Sequence, residues 1–240
     1  MILSKTMHPD DYEKLHGVLS FMEALKKSGV DWLKVQHRHR AWEYAMALES
    51  VGTWLLFRTN PVVIADIGCA ASFLSPALVS LGHRVLMYEV WQFNAIDGIP
   101  LKEFTVKSVE KAKTLSRGGS YELKEVGLGQ ITDKVDVALC VSTLEHIQTY
   151  EQAYQNLLDM VNPGGMFFLT TDFAEDEEDH YLLNQIRAGR MFTAKTYRQL
   201  IGIAQNNGFQ VMGETDYSWS EANRMVCDYG FASLAMTKEK

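Results

Sequence analysis

The chain has 240 residues, a net charge of −7 and a hydrophobic fraction of 47%, which predicts one α/β domain with an appendage and excludes a disordered chain. Its one concentrated basic tetrapeptide is His37-Arg-His-Arg40, so we expect no nucleic-acid partner. The sequence contains no signal-peptide core and no apolar run of bilayer length, so we expect a cytoplasmic protein with no membrane partner. Its three cysteines are neither paired nor clustered, so we expect reduced thiols and no metal.

The first 58 residues predict an N-terminal helical cap. Helix start signals occur at Pro9-Asp-Asp11, and apolar residues then recur at helical spacing through residue 29. Residues 31–57 continue the same periodicity. We therefore assign residues 1–58 to a cap and residues 59–240 to a second domain.

After Asn60-Pro61 the pattern changes to strands that alternate with helices. Helix candidates are Phe73–Leu81, Phe104–Ser116, Glu151–Val161 and Ala194–Asn207. Strand candidates are Val62–Asp66, Arg84–Glu89, Tyr121–Glu125, Val135–Val141, Met166–Thr171, Gln210–Thr215 and Phe231–Met236. Alternation of this kind predicts an α/β fold, a Rossmann-like doubly wound sheet of about seven strands.

Two segments interrupt the alternation. Residues 173–192 begin with an acidic run, which is either a solvated surface loop or a lid-like insertion over a pocket. Residues 216–230 contain no convincing helix, although a parallel pair of strands needs a long crossover. We therefore expect the last strand to run antiparallel.

The turn after the first strand of the sheet reads Ala65-Asp-Ile-Gly-Cys-Ala-Ala-Ser72. Backbone N–H groups at this place face a crevice where ligands bind in open α/β sheets. Gly68 can adopt a positive φ or admit a ligand closely. A lone glycine is equally consistent with an ordinary strand-to-helix turn.

Glu89 strengthens the first interpretation, because it ends the next strand 21 positions after Gly68. A carboxylate about 20 residues beyond a glycine loop accepts hydrogen bonds from the ribose hydroxyls of an adenosine. The alternative is a charged strand end in solvent. An adenosine cofactor is thus the first ligand to consider.

The loop composition favours S-adenosylmethionine over a dinucleotide. A pyrophosphate needs close approach of the backbone, and Ala70 and Ser72 add side chains where glycines would stand. The methionine arm carries an ammonium and a carboxylate in place of a phosphate. Asp66 suits an ammonium and would be poorly placed beside a pyrophosphate.

Downstream, Val135–Val141 is followed by Ser142-Thr-Leu-Glu-His146 and later by Asn162-Pro-Gly-Gly165. With the loop and Glu89, this order resembles the class I S-adenosylmethionine-dependent methyltransferases of the small-molecule type. The resemblance covers residues 60–172 well. The chain departs from the family at Ala70 and Ser72, and it has no acid after the third strand to hold the adenine amino group.

The resemblance implies roles for further residues. Gly127 and Leu128 would hold adenine through backbone groups and apolar packing, and Ser142 would contact the cofactor. Arg40 is either part of a solvated helix face or the residue that binds the methionine carboxylate, for which its forked donors suit it. His146 is either a packing residue or a general base oriented by Asp172; Glu145 is interpreted as structural.

The leading functional hypothesis is a methyltransferase that acts on a small molecule, such as a sugar or another hydroxyl or amino compound. The alternatives are a non-catalytic cofactor-binding or scaffold module, motivated by Ala70 and Ser72, and an NAD-dependent oxidoreductase. The methylated atom and the oligomeric state stay open at this stage.

Overall fold

The N-terminal segment folds as one short strand and three helices. A computed structural model of the protein describes residues 2–30, 38–56, 58, 61–91, 95–96, 99–116, 118–175, 190–219 and 230–240. The elements here are β1 (Ser4–Lys5), α1 (Asp11–Lys14), α2 (His16–Lys27) and α3 (Arg38–Leu55). Residues 176–189 of the expected lid, residues 220–229 of the last loop and Cys227 lie outside the described ranges.

The remainder of the chain builds a sheet with helices on both faces. Its strands are β2 (Val63–Ile67), β3 (Arg84–Tyr88), β6 (Ser120–Lys124), β7 (Val135–Val141), β8 (Val161–Phe173), β9 (Phe209–Val211) and β11 (Gly230–Lys238). They lie in the order β6-β3-β2-β7-β8-β11-β9. The predicted doubly wound sheet of seven strands is confirmed.

Among the described residues, four helices connect these strands: α4 (Leu74–Ser80), α5 (Leu101–Leu115), α6 (Tyr150–Met160) and α7 (Ala194–Asn206). Each falls on a predicted helix, because an apolar stripe at helical spacing needs a sheet face to cover it. Before α5 lies a small hairpin of β4 (Ala95–Ile96) and β5 (Ile99–Pro100). Strands of two residues carry no periodic pattern, and the sequence did not indicate them.

The last strand is reversed, as expected. β11 is antiparallel to β8, with Phe231 opposite Asp172, and it is also antiparallel to β9. The predicted strand Gln210–Thr215 divides in two, since β9 ends at Val211 and β10 (Thr215–Asp216) pairs with β1. Gly213 between them has a φ of +80°, which extended backbone does not allow.

Apolar side chains fill both faces of the sheet. On one face α3 and the N-terminal segment share a continuous core with β2, β7 and β8, in which Trp42, Met46 and Phe168 are buried. Trp42 also donates its indole N–H to Asp11 at 3.1 Å, which ties α3 to α1. The predicted cap thus packs directly on the sheet, and the division at residues 58 and 59 stays a prediction.

Cys69 and Cys140 are free and buried. Burial raises the pKa of both thiols, which makes them poor nucleophiles. None of the helices formed by the described residues has the length and apolarity needed to cross a membrane.

Candidate functional site

A cavity of about 500 Å³ opens at the carboxyl edge of the sheet. Parallel strands bring their carboxyl ends to one edge, so the segments that follow β2, β3 and β7 meet there. Its wall contains Gly68, Ala70, Glu89, Leu128, Ser142 and His146, all candidates from the sequence. The other candidates, Arg40, Asp66 and Asp172, are not among the described residues of this wall.

Gly68 is required at its position for two reasons. Its φ is +71°, and a Cβ added there would lie 2.1 Å from the Thr143 Oγ1. Its N–H donates to the Tyr88 carbonyl at 2.9 Å, which holds the turn against the end of β3. The loop therefore brings bare backbone to the cavity, as a cofactor loop must.

The two departures from a glycine-rich loop have different surroundings. Ala70 lines the cavity and donates its N–H to the Glu89 Oε2 at 3.1 Å. Ser72 is buried, and its Oγ accepts the Leu74 N–H at 3.0 Å, which satisfies a free donor at the start of α4. Only Ala70 thus adds a methyl group to the cavity wall.

Glu89 is fixed by backbone donors at the end of β3. Besides Ala70, its carboxylate accepts the Val90 N–H at 2.9 Å and the Trp91 N–H at 3.1 Å, both on Oε1. A carboxylate offers about four lone-pair sites, and three backbone donors occupy three of them, so one site on Oε2 is left for a hydroxyl. Glu89 is therefore held in place as an acceptor on the cavity wall.

Asp66 lies beneath the loop with 1% of its surface exposed. Its Oδ2 accepts the Ser75 hydroxyl at 2.6 Å. Burial raises the pKa of Asp66 to about 6, and the hydrogen bonds from Ser75 and Ser72 only partly oppose this effect. The side chain is consequently a carboxylate that titrates just below neutrality.

The far wall of the cavity is apolar. Gly127, Leu128 and Gly129 line it, with Leu128 at the start of a 3₁₀ turn, Leu128–Gln130. Trp91 lines it as well, with a φ of +51°. The indole N–H of Trp91 is buried, and it has no hydrogen-bond partner within the described ranges.

Arg40 lies on α3 and forms an ion pair with Glu43 one turn later. The Arg40 Nη1 donates to the Glu43 Oε2 at 2.9 Å. Burial disfavours the charge of Arg40, but Glu43, Glu145 and Asp172 more than compensate, so its pKa is raised above the ordinary value. Arg40 thus stays charged at the edge of the sheet where Asp172 and Glu145 also lie.

Glu43 joins α3 to the ends of two strands. Its Oε1 accepts the hydroxyls of Ser142 at 2.5 Å and Thr170 at 2.6 Å. The Ser142 N–H donates in turn to the Thr170 carbonyl at 3.1 Å, and Ser142 has a φ of +44°. A single buried carboxylate therefore links Arg40 to the cavity wall at Ser142.

Glu145 follows β7 in a second 3₁₀ turn, Leu144–His146, with 2% of its surface exposed. Neither of its carboxyl oxygens has a hydrogen-bond partner among the residues that the structure describes. Burial, and next the charge of Asp172, raise the pKa of Glu145 well above its ordinary value. The protonated form is therefore favoured, and the structural role of Glu145 stays a prediction.

His146 and Asp172, the predicted base and its orienting acid, lie in different surroundings. His146 is exposed on the cavity wall. Asp172 is buried near the end of β8, where its charge acts on Arg40 and Glu145. The catalytic pairing stays a prediction.

Sequence reasoning did not assign a role to Glu43, Thr170 or Trp91. Glu43 had a detectable signal: it is a charged residue within the apolar run Ala41–Leu48, three positions after Arg40. A buried charge needs a partner, and the spacing places both on one helix face. Within the described ranges no group of three or more His, Cys, Asp and Glu side chains is arranged to hold a metal ion.

Comparison with known proteins gives related sequences and related folds. Ubiquinone biosynthesis O-methyltransferase of Pseudomonas fluorescens (strain SBW25) is 26% identical over 112 residues, which are 45% of this chain and 43% of that protein. The chain thus spans less than half the length of this curated relative.

Two crystal structures share the fold. Magnesium protoporphyrin IX methyltransferase of Synechocystis PCC 6803 with bound S-adenosylhomocysteine has a TM-score of 0.57 and 18% identity over 87% of this chain and 90% of its own. The N-methyltransferase NodS of Bradyrhizobium japonicum WM9, in complex with the same compound, has a TM-score of 0.56 and 12% identity over 92% and 99%.

A family model described as a methyltransferase domain matches residues 28–213. This range covers most of the chain, from the residues just before α3 to β9, and it includes the loop at Gly68, the strand end at Glu89 and the turn at Ser142. The agreement of this match with the sheet order and the cavity leads to one conclusion: the chain belongs to the methyltransferase domain family.

Proposed function

We propose that this protein is an S-adenosylmethionine-dependent methyltransferase that acts on a small molecule. The observation that carries the proposal is the cavity at the carboxyl edge of the sheet, where Gly68, Glu89 and Ser142 meet in a chain of the methyltransferase domain family. The printed names of the relatives add that O- and N-methyltransferases share this sequence family or fold.

The residues present fit this cofactor. Gly68 lines the cavity without a side chain, and a Cβ there would collide with Thr143, so the loop presents its backbone to a ligand in the cavity. Glu89 would accept a ribose hydroxyl on Oε2, and Leu128 would pack against adenine. Asp66 and Ser142 would favour the ammonium of the methionine arm, and Arg40 would bind its carboxylate.

When bound, the cofactor supplies an electrophilic methyl group on a sulfonium. This chain would contribute the positioning of the acceptor and the exclusion of water, which account for much of such a rate enhancement. His146 on the cavity wall would take a proton from a hydroxyl or ammonium acceptor. Asp172, near the end of β8, would orient the imidazole of His146.

Calorimetry with S-adenosylhomocysteine tests cofactor binding. We expect micromolar affinity and no binding of NADH in a parallel fluorescence titration. The proposal is wrong if purified protein binds neither S-adenosylmethionine nor S-adenosylhomocysteine, and NADH binding would favour the oxidoreductase. Transfer of labelled methyl groups to small-molecule fractions of a lysate then tests for catalysis.

A non-catalytic cofactor-binding module is the second candidate, and Ala70 is the observation that favours it. The Ala70 methyl group stands on the cavity wall where family loops usually have glycine. Binding of S-adenosylhomocysteine without methyl transfer to any lysate fraction would support this candidate.

We further infer that the acceptor is a small molecule in the cytoplasm and that nucleic acid is not the substrate. The net charge of −7 supports the second inference. The residues of the N-terminal cap, the 173–192 segment and the 216–230 loop would select the acceptor, because the family pattern is least recognisable in these segments. Crosslinking of an acceptor analogue to these segments would test this assignment.

A further inference from the structure

We infer that Glu43 is a positioning residue of the cofactor site, which orients Arg40 and Ser142 to receive an α-amino-acid group. The inference rests on the proposed function, because the methionine arm of the cofactor is such a group. Glu43 accepts three hydrogen bonds, from Arg40 at 2.9 Å, Ser142 at 2.5 Å and Thr170 at 2.6 Å. Its side chain is 0% exposed, so it acts through these partners.

The bond to Glu43 decides what Ser142 offers to a ligand. A serine hydroxyl has one proton and two lone pairs, and here the proton is directed to the Glu43 Oε1. Ser142 lines the cavity, so its free lone pairs make that part of the wall a hydrogen-bond acceptor. An ammonium group, which only donates, is the complementary ligand.

Arg40 offers the opposite chemistry. Its guanidinium has five N–H donors, and the bond to the Glu43 Oε2 uses one nitrogen, Nη1. The Arg40 side chain is 31% exposed, whereas that of Glu43 is buried. The remaining donors are therefore available to a carboxylate.

The Glu43 carboxylate sets the distance between the Arg40 donors and the Ser142 acceptor. Arg40 and Ser142 contact the two different oxygens of Glu43, so a donor for carboxylate and an acceptor for ammonium stand side by side. An α-amino acid carries its ammonium and carboxylate on one carbon, which matches this spacing. Thr170, which accepts the Ser142 N–H at 3.2 Å while donating to Glu43, holds Ser142 in its left-handed conformation.

Glu43→Gln tests the inference without changing the size of the side chain. An amide has one acceptor oxygen and one NH₂ donor. If the oxygen faces the hydroxyls, the NH₂ opposes the Arg40 Nη1; if it faces Arg40, the hydroxyls must reverse their protons. Either arrangement disturbs the site for the amino-acid group. Neither changes Glu89 and Leu128, which would contact the adenosine.

The experiment compares two ligands by calorimetry. S-Adenosylhomocysteine carries the amino-acid group, and 5′-methylthioadenosine has the same adenosine and sulfur without it. We expect Glu43→Gln to weaken the binding of S-adenosylhomocysteine at least about tenfold, as for a lost charge-assisted hydrogen bond. The binding of 5′-methylthioadenosine should weaken less than twofold. Equal losses for both ligands, or no loss for either, would overturn the inference.

Matched variants complete the test. Glu49→Gln, on the same helix, should change neither affinity. Arg40→Ala should reproduce the selective loss, and adding Glu43→Gln to it should cost little more, because the two residues act as a unit. If Glu43→Gln does not fold, Arg40→Ala and Ser142→Ala decide: selective loss in both supports the inference, and its absence in both overturns it. Wild-type protein that binds neither ligand would instead overturn the proposed function.

Discussion

Asp66→Asn should abolish the pH dependence of cofactor binding. The pKa of Asp66 is raised from 3.8 to about 6 by burial, and we propose that its ionised form attracts the ammonium of the cofactor. With that pKa, about one site in ten is ionised at pH 5 and about nine in ten at pH 7. Affinity for S-adenosylhomocysteine should therefore rise about tenfold from pH 5 to pH 7 and change little above that.

Calorimetry from pH 5 to pH 8 at constant ionic strength measures this slope. Asp66→Asn keeps the shape of the side chain and an oxygen acceptor for Ser75, but it has no titration. Its affinity should be flat across the range and lie below the pH 5 value of the wild type, because about one wild-type site in ten is still ionised at that pH. Asp136→Asn, which removes a carboxylate at the opposite end of the sheet beside Val63 and Asn162, should keep the wild-type slope.

The raised pKa of Asp66 also predicts a pH dependence of the free energy of unfolding. Because the folded-state pKa of Asp66 lies above the unfolded value, the group contributes stability below pH 3.8 that is lost as the pH rises to about 6. The difference corresponds to about 3 kcal/mol. Asp66→Asn should thus be more stable than the wild type at pH 7, by up to that amount, and similar to it at pH 4 in denaturant unfolding. A wild type whose affinity is constant from pH 5 to pH 7, or an Asn variant that keeps the slope, would refute the reasoning.

Three further predictions concern the cavity wall. Gly68→Ala should cost about 1–3 kcal/mol of stability and most of the cofactor affinity, because of its positive φ and the contact with Thr143. The control Gly202→Ala, with open space around it, should add about 0.5–1 kcal/mol of stability in thermal unfolding. Equal effects of the two substitutions would contradict the role of the loop. Glu89→Gln should weaken the binding of S-adenosylhomocysteine and of 5′-methylthioadenosine equally, at least about tenfold each. A loss of affinity for only one of the two ligands would contradict a ribose contact. His146→Ala should lower kcat at least about a hundredfold in the labelled-methyl assay with affinity for S-adenosylhomocysteine changed less than about threefold; a kcat near the wild-type value would exclude the base role.

The type and order of the main elements followed from the sequence. Apolar periodicity distinguishes strand from helix over segments of about five residues or more, and the right-handed connection of parallel strands then determines how they meet. This is why the sequence predicts that Gly68 and Glu89 lie at one ligand site. The reversal of β11 was predictable because the sequence of residues 216–230 has no convincing helical pattern, which a parallel crossover would need.

Short elements and the division of Gln210–Thr215 were not predictable in this way. β1 and β10 have two residues each and exist because they pair with each other, a contact between the two ends of the chain. The hairpin of β4 and β5 is equally short. Pairings of this kind depend on the surrounding fold, since two residues carry too little pattern to specify them.

The sequence by itself therefore determined the sheet, the glycine turn at Gly68 and the carboxylate that follows the second strand of that sheet. The tertiary structure alone decided what surrounds them: that Ala70 faces the cavity while the Ser72 hydroxyl accepts the Leu74 N–H, and that burial raises the pKa of Asp66. It also decided the partners of Glu43, which lie 99 and 127 positions away in the sequence. Hydrogen bonds over such separations and the desolvation of a charge arise only when distant segments pack together, and no local pattern encodes them.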